Sequence, residues 1–223
     1  METEKKSKIW KDPASALTHF GGFIFAIVGL FLLLYLCPPD TAKVITFTIY
    51  GISLCLLFLA STAYHFFDLG ENANLWLRRA DHSAIFLLIG GSYVPVFFHF
   101  LEGQMRFWML VTTAAIAIFG IIFKLTWFHA PRWLNAGMYL AMGWMIVIPG
   151  TTLFVKMDST TFYFILIGGL FYSFGAVIYA LKRPDPWPEK FGFHEIWHCF
   201  VLAGSGFHFL FVYHLLDAPY PPF

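Results

Sequence analysis

The stretch Ala14–Leu36, ASALTHFGGFIFAIVGLFLLLYL, determines the fold class, because its 23 residues include no Lys, Arg, Asp or Glu. A helix needs about 20 mostly apolar residues to cross a bilayer. Over all 223 residues, 59% are hydrophobic and 12% are charged. Soluble domains have about 45–50% apolar and about 25% charged residues. The composition therefore argues against a soluble domain and predicts an integral membrane protein.

Six further segments resemble this one, so the chain is predicted to be all-α, a bundle of seven transmembrane helices forming one domain over residues 1–223. Pro, Gly, Asp and Asn mark the breaks between segments. The break before the fifth span is the least distinct, because the residues preceding it are themselves rather apolar. The seven predicted spans are Ala14–Leu36, Lys43–Phe67, Ala80–Phe100, Arg106–Phe123, Trp133–Val155, Thr160–Leu181 and Phe193–Leu215.

The distribution of basic residues predicts the orientation. Eleven of the 14 Lys and Arg residues fall on the side of the N-terminal tail, residues 1–13, and only Lys43, Arg106 and Lys156 fall on the other. Cytoplasmic loops carry the excess of basic residues, so the N-terminus is predicted to be cytoplasmic and the C-terminus outside. The tail precedes a full-length span without an obvious cleavage site, which favours a retained tail over a signal peptide. A net charge of +1 gives no indication of a nucleic-acid partner.

Five polar residues are predicted to lie at the same end of three spans. Ser61 and His65 are near the cytoplasmic end of the second span, Asp81 is in the first turn of the third, and His194 and His198 begin the seventh. Residues four apart share a helix face, which pairs Ser61 with His65 and His194 with His198. An ionisable group inside a span is costly and indicates a functional site.

This combination of side chains is typical of a catalytic zinc site, which has three protein ligands and a water. His65, His194 and His198 are the predicted ligands of Zn²⁺. Asp81 is predicted to be the general base that holds the water, or a fourth ligand. Ser61 is predicted to donate a hydrogen bond to a developing oxyanion. The alternative is that these histidines only reach toward the membrane boundary or bond neighbouring carbonyls.

The remaining histidines have weaker claims to a site. His19 and His82 are candidates to contact the ligands without binding the metal themselves. His208 lies about 15 Å deeper than His198 along an ideal helix, so it cannot bind the same metal. The other three are predicted to be structural: His99, His129 and His214.

The run His194-Glu195-Ile196-Trp197-His198 matches H-E-x-x-H, the helical pattern of zinc metalloproteases in which Glu is the general base. The pattern is short, and an acid at a helix start also favours the helix dipole. We favour this second role for Glu195, and an intramembrane protease remains an alternative.

The residues together resemble the hemolysin III family, which belongs with the progestin and adipoQ receptors, including the adiponectin receptors. The resemblance rests on Ser61-x3-His65, Arg79-Ala80-Asp81-His82-Ser83, Ser92-Tyr93-Val94-Pro95 and His194-x3-His198, with Pro13–His19 resembling the start of the first helix. It covers nearly the whole chain.

This resemblance implies a seven-helix bundle with the N-terminus inside, a zinc ion held by the three histidines, and a short bacterial form located in the plasma membrane. Relatives in the animal branch look like zinc-dependent hydrolases that cleave the amide of ceramide. The leading hypothesis is therefore a zinc-dependent hydrolase of a membrane lipid amide or ester. The alternative is a non-enzymatic receptor or a cytolytic protein in which zinc is structural.

Overall fold

The computed structural model describes residues 11–127, 129–188 and 190–218, and within them the chain is helical without strands, which confirms the predicted all-α class. Lys5, Lys6 and Lys8 of the predicted tail lie outside the described residues. The helices are α1 (Pro13–Leu36), α2 (Thr41–Phe66), α3 (Glu71–Phe100), α4 (Gly103–Thr126), α5 (Arg132–Gly143), α6 (Thr151–Phe154), α7 (Ser159–Leu181) and α8 (Phe193–His214), with a 3-10 turn at Trp144–Val147.

Several helices begin at residues that suit a helix start. The Asp40 side chain accepts hydrogen bonds from the backbone N–H groups of Ala42 (2.8 Å) and Lys43 (3.1 Å) at the start of α2. Asp158 accepts one from Thr161 N (3.0 Å) at the start of α7. Such side chains satisfy N–H groups that have no partner within the helix.

Six helices of the described chain are long and apolar enough to cross a membrane: α1, α2, α3, α4, α7 and α8. Large hydrophobic side chains point away from the bundle, and Phe31 and Tyr35 on α1 are 70% and 84% exposed. Contiguous apolar surface of this kind marks a membrane or protein contact. The chain is an integral membrane protein.

The fifth predicted span, Trp133–Val155, is not one continuous helix. Pro149 has no backbone N–H to continue a helix, and Gly150 adopts a positive φ of 52°. The Tyr93 hydroxyl lies 2.9 Å from the Met142 carbonyl oxygen and accepts a hydrogen bond from Ile146 N (3.1 Å), so a side chain from α3 meets backbone groups at this break. Hydropathy alone detected the apolar composition of the segment but not the interruption.

The third predicted span also needed correction, because α3 begins at Glu71 and not at Ala80. Its first nine residues are polar or mixed, so hydropathy does not mark them. The helix nevertheless extends there, starting directly after Gly70 with its φ of 87°. As a result, Asp81 lies in the third turn of α3 and not in the first.

Close packing brings the ends of α1, α2 and α8 together. α1 packs against both α2 and α8. A Cβ added to Gly22 would lie 2.7 Å from side-chain atoms of Phe58 on α2 and Leu202 on α8, and one at Gly29 would lie 2.7 Å from Phe209. Small residues permit this approach. The polar residues at the adjoining helix ends are consequently within reach of one another.

Candidate metal centre

Three imidazoles meet between the end of α2 and the start of α8. One ring nitrogen from each of His65, His194 and His198 lies within 4.8 Å of the others. The Nε2 atoms of His65 and His194 are 3.2 Å apart. His65 and His198 are buried, and His194 is half-buried. The three predicted ligands therefore form one compact cluster.

The cluster fits a metal ion by its chemistry. Both ring nitrogens of His198 are buried, and neither has a hydrogen-bond partner among the described residues. Buried polar groups normally have partners, and coordination of a metal ion would supply one for this imidazole. Two nitrogens bound tetrahedrally to zinc at about 2.0–2.1 Å lie roughly 3.4 Å apart. The observed 3.2 Å between His65 and His194 is close to that spacing.

A carboxylate orients one of the three rings. His65 Nδ1 lies 3.1 Å from Asp12 Oδ2, and Asp12 N donates to the His65 carbonyl oxygen at 3.0 Å. A carboxylate only accepts, so the Nδ1 position of His65 carries the proton and, in a neutral ring, Nε2 is left as a free lone pair. Metal-binding histidines are commonly held by this arrangement. The same hydrogen bond lowers the pKa of the Asp12 carboxyl.

His19 supports the cluster from α1. Its ring stacks on that of His198, with centroids 3.6 Å apart and planes inclined by 15°. Its Nδ1 lies 2.7 Å from Ser61 Oγ. His19, Ser61 and His198 are all buried. Ser61 therefore contacts His19, which in turn stacks on His198, in addition to sharing a helix face with His65.

Asp81 lies beside the cluster on α3. It is buried and near enough to His19, His65 and His194 to interact with them electrostatically. Its Oδ2 is 3.4 Å from Nδ1 of His82, which is also 2.9 Å from the Arg78 carbonyl oxygen. The predicted base therefore lies within electrostatic range of the imidazoles, and its closest described contact is with the neighbouring His82.

Glu195 has a structural environment. Its Oε2 accepts a hydrogen bond from Gly192 N (2.8 Å), and its Oε1 accepts one from the Ser15 hydroxyl (2.9 Å). The first contact is half of a capping box at the start of α8. The second ties α1 to α8. Both carboxylate oxygens are thus engaged in holding helices, which favours the helix-start role over that of a protease base.

We expect Glu195→Gln to retain most of any metal-dependent activity and to lower stability only slightly, because glutamine keeps an oxygen that can accept the Gly192 N–H hydrogen bond of the capping box. Thermal unfolding of the purified variant and its zinc content measure the two effects. Ser15→Ala is the matched control, since it removes one contact of the same carboxylate. Loss of all activity in a stably folded Glu195→Gln protein would restore the protease-like alternative.

The other histidines lie away from the cluster. His208 Nε2 is 3.4 Å from the Ile165 carbonyl oxygen on α7, so it contacts another helix. His214 Nε2 is 3.4 Å from Asp158 Oδ2, at the opposite end of α8. Neither His99 nor His129 joins the metal-binding group found among the described residues.

Sequence reasoning missed Asp12 and Ser15. Both are common helix-start residues, so their identity alone suggested nothing more than the beginning of α1. Their position in the sequence was an available signal. Both lie within one turn of Pro13 and near His19, so both were expected at the same membrane depth as the candidate ligands. Only the packing of α1 between α2 and α8 shows which partners they reach.

The fold and the site together define a class: an α-helical integral membrane protein with a largely buried three-histidine cluster that could hold a metal ion at one end of its bundle. Residues 7–209 match the model of the family described as "Haemolysin-III related". The chain belongs to the haemolysin III family.

Named relatives support this assignment. The chain is 35% identical over 207 residues to the Hemolysin-3 homolog of Bacillus subtilis (strain 168), covering 92% of this chain and 93% of the relative. It is 36% identical over 219 residues to Hemolysin-3 of Bacillus cereus, covering 94% and 95%. The Adiponectin receptor protein of Drosophila melanogaster is 29% identical over 226 residues, covering 91% of this chain and 50% of the receptor.

Proposed function

We propose that this protein is a zinc-dependent membrane hydrolase that cleaves an amide or ester bond of a lipid, in the manner of a ceramidase. The observation that carries the proposal is the largely buried cluster of His65, His194 and His198, in which neither ring nitrogen of His198 has a hydrogen-bond partner among the described residues. When bound there, zinc would acidify a water and polarise the scissile carbonyl.

Asp81 is the proposed general base. A base must lie within hydrogen-bond reach of the proton that it accepts. Asp81 is buried next to the imidazoles but, in contrast to Asp12, is not hydrogen-bonded to any of the three candidate ligands among the contacts described. Its Oδ2 faces His82, so Oδ1 is the oxygen proposed to receive a proton from the attacking water.

Ser61 is the proposed hydrogen-bond donor to the oxyanion that forms as the carbonyl is attacked. A hydroxyl can donate one hydrogen bond and accept others. If His19 Nδ1–H donates to Ser61 Oγ across their 2.7 Å contact, the Ser61 proton is directed away from His19. His19 would then set the direction in which Ser61 donates.

The proposed topology places this chemistry at the cytoplasmic leaflet of a bacterial plasma membrane. We propose that the broken segment from α5 through α6 completes a seventh crossing, with the N-terminus inside. Irregular backbone is tolerated at membrane depth where protein groups satisfy it, as Tyr93 does here. The metal centre at the end of α2 and start of α8 would then meet a lipid head group at the inner boundary.

A direct test is turnover by the purified, zinc-loaded protein. A short-chain ceramide and a fluorescent phospholipid ester are supplied in mixed micelles, and released fatty acid is measured. We expect release from at least one substrate and its loss after chelation, with recovery on adding zinc. Absence of release from either substrate by a folded, zinc-containing protein would argue against hydrolysis.

A second candidate function is favoured by the names of the relatives, which describe a haemolysin and a receptor. In this alternative, zinc would only tie α2, α3 and α8 together. A structural zinc site is closed by four protein ligands, so Asp81 would be a ligand and not a base. The effect of replacing Asp81 distinguishes the two functions.

We expect Asp12→Asn to weaken zinc binding by about 10–100-fold, as is usual when the partner of a metal-binding histidine is removed. Loss of the charged acceptor leaves the His65 ring less firmly oriented and less basic. Zinc affinity is measured by competition with a coloured chelator. The matched control is Asp40→Asn, which changes the same side chain at the start of α2. An unchanged affinity in Asp12→Asn would show that the Asp12 contact does not support a ligand.

A further inference from the structure

A cavity lined largely by polar side chains lies beside the metal centre and has no part in the proposed hydrolysis. It has a volume of about 270 Å³ and is formed by the end of α4, the start of α5, and side chains from α3 and α7. His82 lines it and also contacts Asp81, so His82 separates the two sites. We call this cavity the basic pocket. Its lining residues are Arg78, His82, Lys124, His129, Ala130, Pro131, Arg132, Asn135 and Tyr179.

The basic pocket concentrates positive charge. Arg78, Lys124 and Arg132 line it, and none of its lining residues in the described chain is acidic. Lys124 is only 1% exposed and donates to the neutral Asn135 Oδ1 at 2.9 Å. Asp81, on the far side of His82, offsets part of this charge. Three cations against one nearby carboxylate leave an excess of positive charge, which raises the local concentration of anions.

Donors are available to bind such an anion. Arg132 Nη1 is buried and has no hydrogen-bond partner among the described residues, while its guanidinium lies over the rings of Tyr179 (5.4 Å) and Phe193 (5.6 Å). These rings hold the guanidinium plane in place. The 12-residue helix α5 begins at Arg132 without a side-chain cap, so the positive end of its dipole meets the same pocket.

The setting of the pocket points to a lipid. Trp127 and Trp133 flank it in sequence and are 53% and 69% exposed. Exposed tryptophans concentrate at the level of the lipid head groups. A planar guanidinium with additional cations suits a phosphate, which accepts paired charge-assisted hydrogen bonds. We infer that the basic pocket binds the phosphate group of an anionic membrane phospholipid, next to but separate from the catalytic centre.

The test measures binding to the purified zinc-loaded protein in detergent by intrinsic tryptophan fluorescence and native mass spectrometry. The probes are dioctanoyl phosphatidic acid, dioctanoyl phosphatidylcholine and inorganic phosphate. We expect phosphatidic acid to bind more tightly than phosphatidylcholine, because the positive pocket has nothing to pair with the choline. Arg132→Gln should weaken phosphatidic acid binding about tenfold through loss of a charge-assisted hydrogen bond.

Two further variants make the result specific. Arg78→Gln removes a half-buried cation from the pocket and should also weaken binding, which covers the case in which Arg132→Gln does not fold. Lys182→Gln removes an exposed cation outside the pocket and should leave binding unchanged. Equal binding of both lipids, or equal loss in Lys182→Gln, would overturn the site. Inorganic phosphate binding as tightly as phosphatidic acid would overturn the lipid as its source.

Discussion

The double variant His194→Ala/His198→Ala is expected to reduce bound zinc from about one ion per chain to background, because it removes two of three protein ligands. His198 is the more informative of the two residues, since it is buried with both nitrogens unpartnered. Elemental analysis of protein purified without added chelator measures the ratio of zinc to protein.

The matched control for this loss is His214→Ala, which removes a histidine at the far end of the same helix. It should keep the zinc content of the unaltered protein. Elution as a single species in size-exclusion chromatography shows that each variant is folded. Full zinc content in the folded double variant would eliminate the proposed metal centre, whatever the activity of the protein.

The second large effect is expected from Asp81→Asn, which should keep most of the zinc and lower lipid hydrolysis by about 10²–10⁴-fold. Asparagine has nearly the same shape as aspartate but accepts no proton. Turnover is measured under saturating zinc, with zinc content measured on the same sample. Loss of both zinc and turnover would identify Asp81 as a fourth ligand and favour a structural zinc. Unchanged turnover would exclude Asp81 as the base.

His82→Ala provides the control for this result. His82 contacts Asp81 without being a predicted ligand, so its loss should alter the position of the base while leaving zinc bound. We expect a smaller decrease in turnover than in Asp81→Asn. If Asp81→Asn lowers turnover more than His82→Ala does, the loss reflects proton transfer by Asp81 and not a general disturbance of α3.

Periodicity and hydropathy predicted most of the fold, because a membrane span has few ways to satisfy its backbone. The ends of α1, α7 and α8 lie within one or two residues of the predicted spans. The failures have physical causes. The polar start of α3 carries no hydropathy signal, and the fifth segment keeps its apolar composition through a break at Pro149 and Gly150.

The candidate ligands could be predicted from the sequence, because the spacing and depth of residues on one helix follow from helix geometry. For His65 and for the His194–His198 pair, only the direction of the span that carries them had to be known. The contacts that other side chains make with these ligands could not be predicted in this way. The contacts of Asp12 with His65 and of His19 with His198 join residues far apart in the chain, so they depend on how α1 packs.

The central claim is that His65, His194 and His198 hold one zinc ion, and anomalous diffraction at the zinc absorption edge tests it most directly. One anomalous peak is expected within bonding distance of all three imidazoles, about 2.0–2.1 Å from each ligating nitrogen. A zinc-supplemented crystal with no peak between these rings, or with a peak bound by other residues, would contradict it.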